Sequence, residues 1–458
     1  MKKAQRRTFL QRLFALTSFA LAFPAKSQTK PSASPGSGTT ARKMINVKDP
    51  AYGATGDGKT DDTAAIRKAC AAASPGSTIM FPSGTYKIDP TTNGVAGTAW
   101  NFSPKGGDLY AGAVVTADDV MLQGDGATIL GSATTPSKSD RCNAMFVVMG
   151  KKGAPVSRFT MQGMTFNLQN QSGSVALYMQ WVRDVRISGN TVRNHASMID
   201  ALSFDNTLNA VSTGNTFRDG GIAHGLYAAI NTTISDNTAS NIRELLDADK
   251  AETAKGNTQI GSKVIVTGNT YTRTAQDTVG DAAIEINGYA DVTIEKNTIK
   301  NSNDGIRITS KPRNGTDYPA SRISIRNNTI ESVARSGIIL GDNGTNDFVN
   351  HLDILIQGNT IDGAKTNGLK LRGKRIEARG NTIRNSGAAG IYAENVGRSQ
   401  NLDDFTISDN VVTGSGGHDI ELDRSSNGVV SGNKVDSNAG QKGGVSLVKP
   451  AKIKAVGI

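Results

Sequence analysis

A four-residue phrase, Gly-Asn-Thr-apolar or a near variant, recurs ten times and limits the folds open to this chain more than any other feature. Its Asn falls at Asn190, Asn215, Asn237, Asn269, Asn297, Asn328, Asn359, Asn381, Asn410 and Asn433, at intervals of 25, 22, 32, 28, 31, 31, 22, 29 and 23. The residue two after the Asn is apolar or aromatic every time, and the residue three before it is apolar in all but Ser212. Alternations such as Val292-x-Ile294 and Ile323-x-Ile325 have the period of a strand with one buried face. A second alternating segment follows in each unit, as in residues 305–309 (Gly-Ile-Arg-Ile-Thr) and 368–372 (Gly-Leu-Lys-Leu-Arg). No helical stretch of ten or more residues separates the strands, which excludes βαβ crossovers. Short strands and polar turns at a minimum period near 22 describe a solenoid. The expected fold is all-β, a single-stranded parallel β-helix with an inward Ile/Val/Leu core. Each Asn is expected in a tight turn, where it tolerates left-handed backbone angles and bonds its neighbours in a ladder.

Composition agrees, since 51 Gly and 5% aromatic residues in a chain of 458 suit a repeat fold better than one compact core. The net charge of +11 resembles a nucleic-acid signature, but residues 1–43 hold nine Lys/Arg and no acid. Removing those nine leaves +2 for residues 44–458, so no nucleic-acid partner is expected. Lys2, Lys3, Arg6 and Arg7 form a charged head before an apolar run from Leu13 to Phe23, and Ala20-Leu21-Ala22 offers a cleavage site. Arg6-Arg7-Thr8-Phe9-Leu10 resembles the twin-arginine export motif, with Gln5 and Gln11 departing from its flanks. Residues 1–25 thus read as a signal peptide, 26–43 as a flexible linker and 44–458 as one domain. The product is expected in the periplasm or secreted, with no membrane anchor after signal removal. Export permits a Cys70–Cys142 disulfide; the alternative is that Cys70 is a small buried helix residue. No spacing among four His and two Cys suggests a metal site.

Residues 46–66 (Asn-Val-Lys-Asp-Pro-Ala-Tyr-Gly-Ala-Thr-Gly-Asp-Gly-Lys-Thr-Asp-Asp-Thr-Ala-Ala-Ile), with residues 81–86 (Phe-Pro-Ser-Gly-Thr-Tyr), resemble the opening of the pectate lyase superfamily with a rhamnogalacturonase/epimerase-like domain. The resemblance implies a right-handed parallel β-helix. It leaves the reaction open, because that superfamily holds lyases, hydrolases, epimerases and phage-type tail proteins. Thr60, Asp61 and Asp62 are placed to cap a helix running to about Ala73, which would cover the open first rung. Asp57, Asp61 and Asp62 therefore read as turn and cap residues.

Stacking the second strand of each unit gives two outward files. One is expected to run Tyr178, Ser203, Tyr227, Asp247, Glu285, Arg307, Ile339, Lys370, Tyr392, Glu421. The other runs Gln180, Asp205, Ala229, Asp249, Asn287, Thr309, Gly341, Arg372, Glu394, Asp423. Longer units place loops after these files at residues 249–262, 311–321, 342–351 and 395–404, walling a groove that suits a linear, acidic polysaccharide as partner. Glycosidic hydrolysis needs two carboxyl groups, available from Asp205, Asp247, Asp249 and Glu285. The hydrolase branch's successive motifs are echoed only by Ala223-His224-Gly225 and Arg307-Ile308-Thr309, so lyase-type β-elimination is the first expectation and hydrolysis the alternative. Elimination needs a cation to neutralise a uronate carboxyl and a base beside it. Arg307 and Lys370 are the candidates, with Glu285 and Asp249 completing the catalytic set. Asp205, Tyr227, Asp247, Arg372, Tyr392 and Glu394 are expected to bind substrate. If a metal takes part, Asp247, Asp249 and Glu285 would hold Ca²⁺. A non-catalytic, glycan-binding β-helix is the remaining alternative, in which these charges are a solvated strand face. His224 is expected in a turn.

Overall fold

The computed structural model describes residues 42–92, 108–132, 141–171, 173–196, 199–249, 261–275, 282–310, 319–341, 351–393, 402–435, 444–448 and 452–456. Residues 1–41, which include the expected signal peptide and most of the expected linker, lie outside these. The chain winds as a parallel β-helix with three strands to a turn. One turn runs Ser321–Arg326, Thr329–Glu331 and Ile338–Leu340; the next runs Leu352–Gln357, Thr360–Asp362 and Leu369–Leu371. Each strand pairs in register with its equivalent one turn on, so Ile323 lies over Ile354, Ile330 over Ile361 and Ile338 over Leu369. The middle strand was not foreseen. It is three residues long with one inward side chain, too short to show an alternation.

Inward side chains form one continuous core, Ile-rich along the first two walls, with Phe81, Phe146 and Phe166 edge-to-face at the N-terminal end. Helix Thr63–Ala71 packs Ile66, Ala69 and Cys70 onto that end, two residues shorter than expected. Asp61 accepts a hydrogen bond from the Thr63 amide at 3.0 Å, while Asp62 instead receives the Thr55 and Gly56 amides at 2.7 and 3.1 Å. Cys70 and Cys142 are both buried and free, and burial pushes the Cys70 thiol up to about 12. No disulfide forms.

The Asn ladder runs the length of the repeat. Asn297 donates from its backbone amide (3.0 Å) and its side-chain amide (2.9 Å) to Oδ1 of Asn328, and from Nδ2 to the Val266 carbonyl at 2.9 Å. The same links join Asn190 through Asn433. The ladder is as expected, but the left-handed angle is not at the Asn. It sits on the residue before, which is Gly or a polar residue with φ of 55–67° at all ten repeats. A second left-handed corner lies six residues before every ladder Asn, from Asp184 to Asn427, and every residue there is Asp, Asn, Lys or Arg.

Three of the four histidines are inside. His224 lies between Ser212 Oγ (2.9 Å) and the Leu245 carbonyl (3.0 Å), with its ring edge-on to Phe217. His195 and His351 are likewise fully buried. Burial lowers His195 and His224 to about 4 and His351 to about 3.

Two predictions follow from this packing. Asn328→Ala leaves both Asn297 donors without their acceptor, and a cost of about 2–5 kcal/mol is expected in urea unfolding. Because the folded histidines titrate below their ordinary value, their contribution is complete above about pH 6.5 and is lost as pH falls toward about 4. His224→Gln, which bonds but cannot protonate, should lose less stability than the wild type over that window.

Candidate functional site

On the third wall, register places Ser203, Gly225, Asp247, Glu285, Arg307, Ile339, Lys370, Tyr392 and Glu421 in one outward file. A second file holds Gln180, Asp205, Tyr227, Asp249, Asn287 and Thr309. Glu285, Arg307, Lys370, Asp247 and Tyr392 therefore stand in the expected file, and Asp205 and Asp249 in theirs. Tyr227 does not: it occupies the second file, between Asp205 and Asp249, and Gly225 takes its place in the first. The reason is His224. Setting Tyr227 and Ala229 outward makes Leu226 and Ala228 the inward pair; the observed pair is His224 and Leu226, aligned with Leu246 and Ala248. A polar residue at a core position disguised the register, and His224 is a core residue, not a turn residue.

A third file was missed. Asp200, Ile222 and Glu244 are in register, as are Ala282 and Asp304. At these rungs two successive side chains enter the core, Ala201 with Leu202, Leu245 with Leu246 and Ala283 with Ile284. That doubled step breaks the alternation and returns Asp200 and Glu244 to the outer face. The doubled apolar pair after an acid is the signal that would have found them.

Five carboxyl groups thus gather within four successive rungs: Asp200, Glu244, Asp247, Asp249 and Glu285. Burial raises Asp247 well above the usual carboxylate range, and Glu244, Glu285, Asp249 and Asp200 each push it further. Asp200 is fully buried and raised to about 7 by that burial. Asn287 Nδ2 donates to Asp249 at 2.8 Å. Asp205 accepts from Tyr178 Oη (2.7 Å), Gln180 Nε2 (2.9 Å) and Asn206 Nδ2 (2.6 Å). Arg307 is held by Glu285 at 3.2 Å and Asp304 at 2.7 Å, all three side chains nearly or fully buried. This clamp makes Arg307 a poor candidate for a free base.

Lys370 is largely buried, in register with Ile339 on one side and Tyr392 on the other. Arg372 follows the strand Leu369–Leu371, is buried, and adds to the depression of His351. Glu394 lies outside the described residues, as does most of each loop expected to wall the groove. Among the described residues no three His, Cys, Asp or Glu side chains are arranged to hold a metal ion, which gives the calcium reading no support from geometry. No helix among them is long and apolar enough to cross a membrane.

The sequence matches the family described as rhamnogalacturonase A/epimerase, pectate lyase-like over residues 44–314, and the right-handed β-helix region over residues 316–455. The chain belongs to the first of these, a pectate lyase-like family of right-handed β-helices. Mannuronan C5-epimerase AlgE1 of Azotobacter vinelandii is 31% identical over 136 residues, 29% of this chain and 8% of that protein's length. Among solved structures, a family 28 exopolygalacturonase of Yersinia enterocolitica superposes with a TM-score of 0.58 at 15% identity, covering 91% of this chain and 79% of that one. A GH87 alpha-1,3-glucanase of Streptomyces thermodiastaticus gives 0.57 at 17% identity, covering 92% and 70%. The tailspike of E. coli bacteriophage HK620, solved with a pentasaccharide, gives 0.61 at 11% identity, covering 89% and 78%. At these identities the likeness concerns the fold.

Arg307→Met would take the guanidinium from Glu285 and leave Asp304 with the more distant Arg335 at 3.6 Å. A loss of about 3–5 kcal/mol is expected in chemical denaturation, the size for breaking one side of a buried ion pair.

Proposed function

We propose that this protein acts outside the cytoplasm on an acidic polysaccharide and cleaves its glycosidic bonds by hydrolysis, with Asp247 as general acid and Glu285 as the second carboxyl group. The observation that carries this reading is Asp247 itself, a carboxyl whose surroundings favour its protonated form, one rung from Glu285. Glycosidic cleavage requires that asymmetry: one carboxyl to protonate the leaving oxygen, the other to activate water or attack the sugar. Arg307 fixes Glu285 in place. Asp249 and Tyr227 flank the pair and are assigned to substrate binding. Lys370 lies three rungs beyond Glu285, about 14 Å along the helix, where it suits a carboxylate of the polymer. Family membership and the superposed glycan-active folds support the substrate class. Export through residues 1–25 is part of the same reading.

One observation favours β-elimination as a second reading. Lys370 and Tyr392 are in-register neighbours, and a cation beside a phenol can neutralise a uronate carboxyl and take the adjacent proton. The test is a panel of uronate-containing polysaccharides, with and without calcium. New reducing ends without absorbance from an unsaturated sugar are expected. Asp247→Asn should lower the rate by about 10²–10⁴-fold, the range of general acid catalysis. Unsaturated product abolished by Lys370→Ala would establish elimination instead, and no product on any polymer would favour a glycan-binding role.

A further inference from the structure

Gly225 interrupts the first file between Ser203 and Asp247, and the gap is not empty. A β-carbon built on Gly225 would meet Asp200 Oδ2 at 1.9 Å and Oδ1 at 2.6 Å. The Asp200 carboxyl, rooted one rung back in the third file, therefore fills the place where a side chain at position 225 would begin. Gly225 and Asp247 are direct partners across the next rung, about 4.8 Å apart in the sheet. Asp200 is thus delivered beside Asp247 by a missing side chain.

Its surroundings offer little else. Oδ1 receives the Tyr227 hydroxyl at 3.4 Å, and Oδ2, fully buried, accepts no hydrogen bond of good geometry. The titratable groups facing it are Tyr178, Cys142, Tyr227 and Asp247. No cation is among them. Two neighbouring carboxyls, Asp200 fully buried and Asp247 partly so, with no ion pair to either among the described residues, cannot both carry charge cheaply, and one proton between them is the arrangement that electrostatics favours.

We infer that Asp200 and Asp247 share a single proton across the gap left by Gly225, so that Asp200 is the positioning residue that keeps Asp247 protonated near neutral pH. The proposal rests on the acid role given to Asp247 but is tested without substrate. The probe is the titration of carboxyl carbons by NMR in protein labelled with ¹³C-aspartate, across about pH 4 to 9. In the wild type the pair should titrate as one coupled unit. Asp200→Asn should lower the Asp247 midpoint by about one pH unit or more, and Asp247→Asn should lower that of Asp200 reciprocally. Gly225→Ala, which displaces the Asp200 carboxyl while leaving both acids in the chain, should uncouple the two. If hydrolysis is found, Asp200→Asn should move the alkaline limb of kcat/KM to lower pH, an effect that loss of packing alone would not produce. Independent midpoints, unmoved by either substitution, would overturn the shared proton while leaving the hydrolase reading intact. Coupled midpoints with full activity in Asp247→Asn would do the reverse.

Discussion

The ladder of buried asparagines sets the geometry on which every other feature depends. Each Asn links three turns: its Nδ2 donates to a carbonyl of the turn before and to Oδ1 of the next ladder Asn, which also accepts its backbone amide. Asn237, for example, donates to Ser212 O at 3.1 Å and to Asn269 Oδ1 at 3.0 Å. An amide carries both donor and acceptor on one planar group, so it alone among short side chains can repeat this link indefinitely. The corner is buried, and each unmade bond there would carry its full desolvation cost. Rung spacing is thereby locked at one corner, and the insertions that lengthen some turns must be accommodated elsewhere. Most fall after the third wall and one lies before it, between Thr272 and Ala282, yet the outer files stay in register from Ser203 to Glu421 although the intervals between turns vary by as much as ten residues.

Much of this was legible in the sequence because the ladder repeats a strict local phrase and the core repeats one chemistry. Ile294, Ile325 and Ile356 mark the same inward position in successive turns, and no alternative pairing would bury them together. The files were legible where the core position was apolar, as at Ile284, Ile306 and Leu369. They were illegible where a buried polar group stood in. His224 occupies a core site because Ser212, itself the exception to the apolar rule three residues before the Asn, meets its ring at 2.9 Å. Two departures from pattern in neighbouring walls satisfy one another, and neither can be interpreted without its partner. The third file was hidden by the opposite fault, an apolar pair where alternation demanded one residue.

The left-handed corner six residues before each ladder Asn shows a different kind of signal. Its residues are Asp184, Asn209, Asn231, Lys263, Asp291, Arg322, Asp353, Arg375, Asp404 and Asn427, all with φ between 53 and 59°. Asn and Asp take such angles readily because their side chains bond locally; Lys and Arg have no such excuse. Stacking explains them. Arg322 donates to Asp291 at 2.6 and 3.0 Å, and Arg375 donates to Asp353 one turn later. Each pair is exposed and worth little alone. Its value here is that opposite charges meet along the column, where like charges at the same spacing would repel.

The contrast between that corner and the third wall separates structural charge from chemical charge. At the corner, Asp291 and Asp353 are held below the ordinary carboxylate range by Arg322 and Arg375, exposed to solvent and neutralised one to one. On the third wall, burial raises Asp200 and Asp247, and among the described residues no ion pair reaches either, Arg307 being committed to Glu285 and Asp304. A fold that neutralises its acids so regularly along one edge pairs Glu244 with Arg243 and Glu285 with Arg307 on another, and gives Asp200 and Asp247 no ion pair among the described residues. Placing a clamped arginine at one end of that group and a glycine in its middle brings the acids together and orders them. Packing alone would be as well served by any apolar residue at Gly225 that left Asp200 in solvent. The cost of burying Asp200 instead is what supports the proposal that stability yields to chemistry on the third wall.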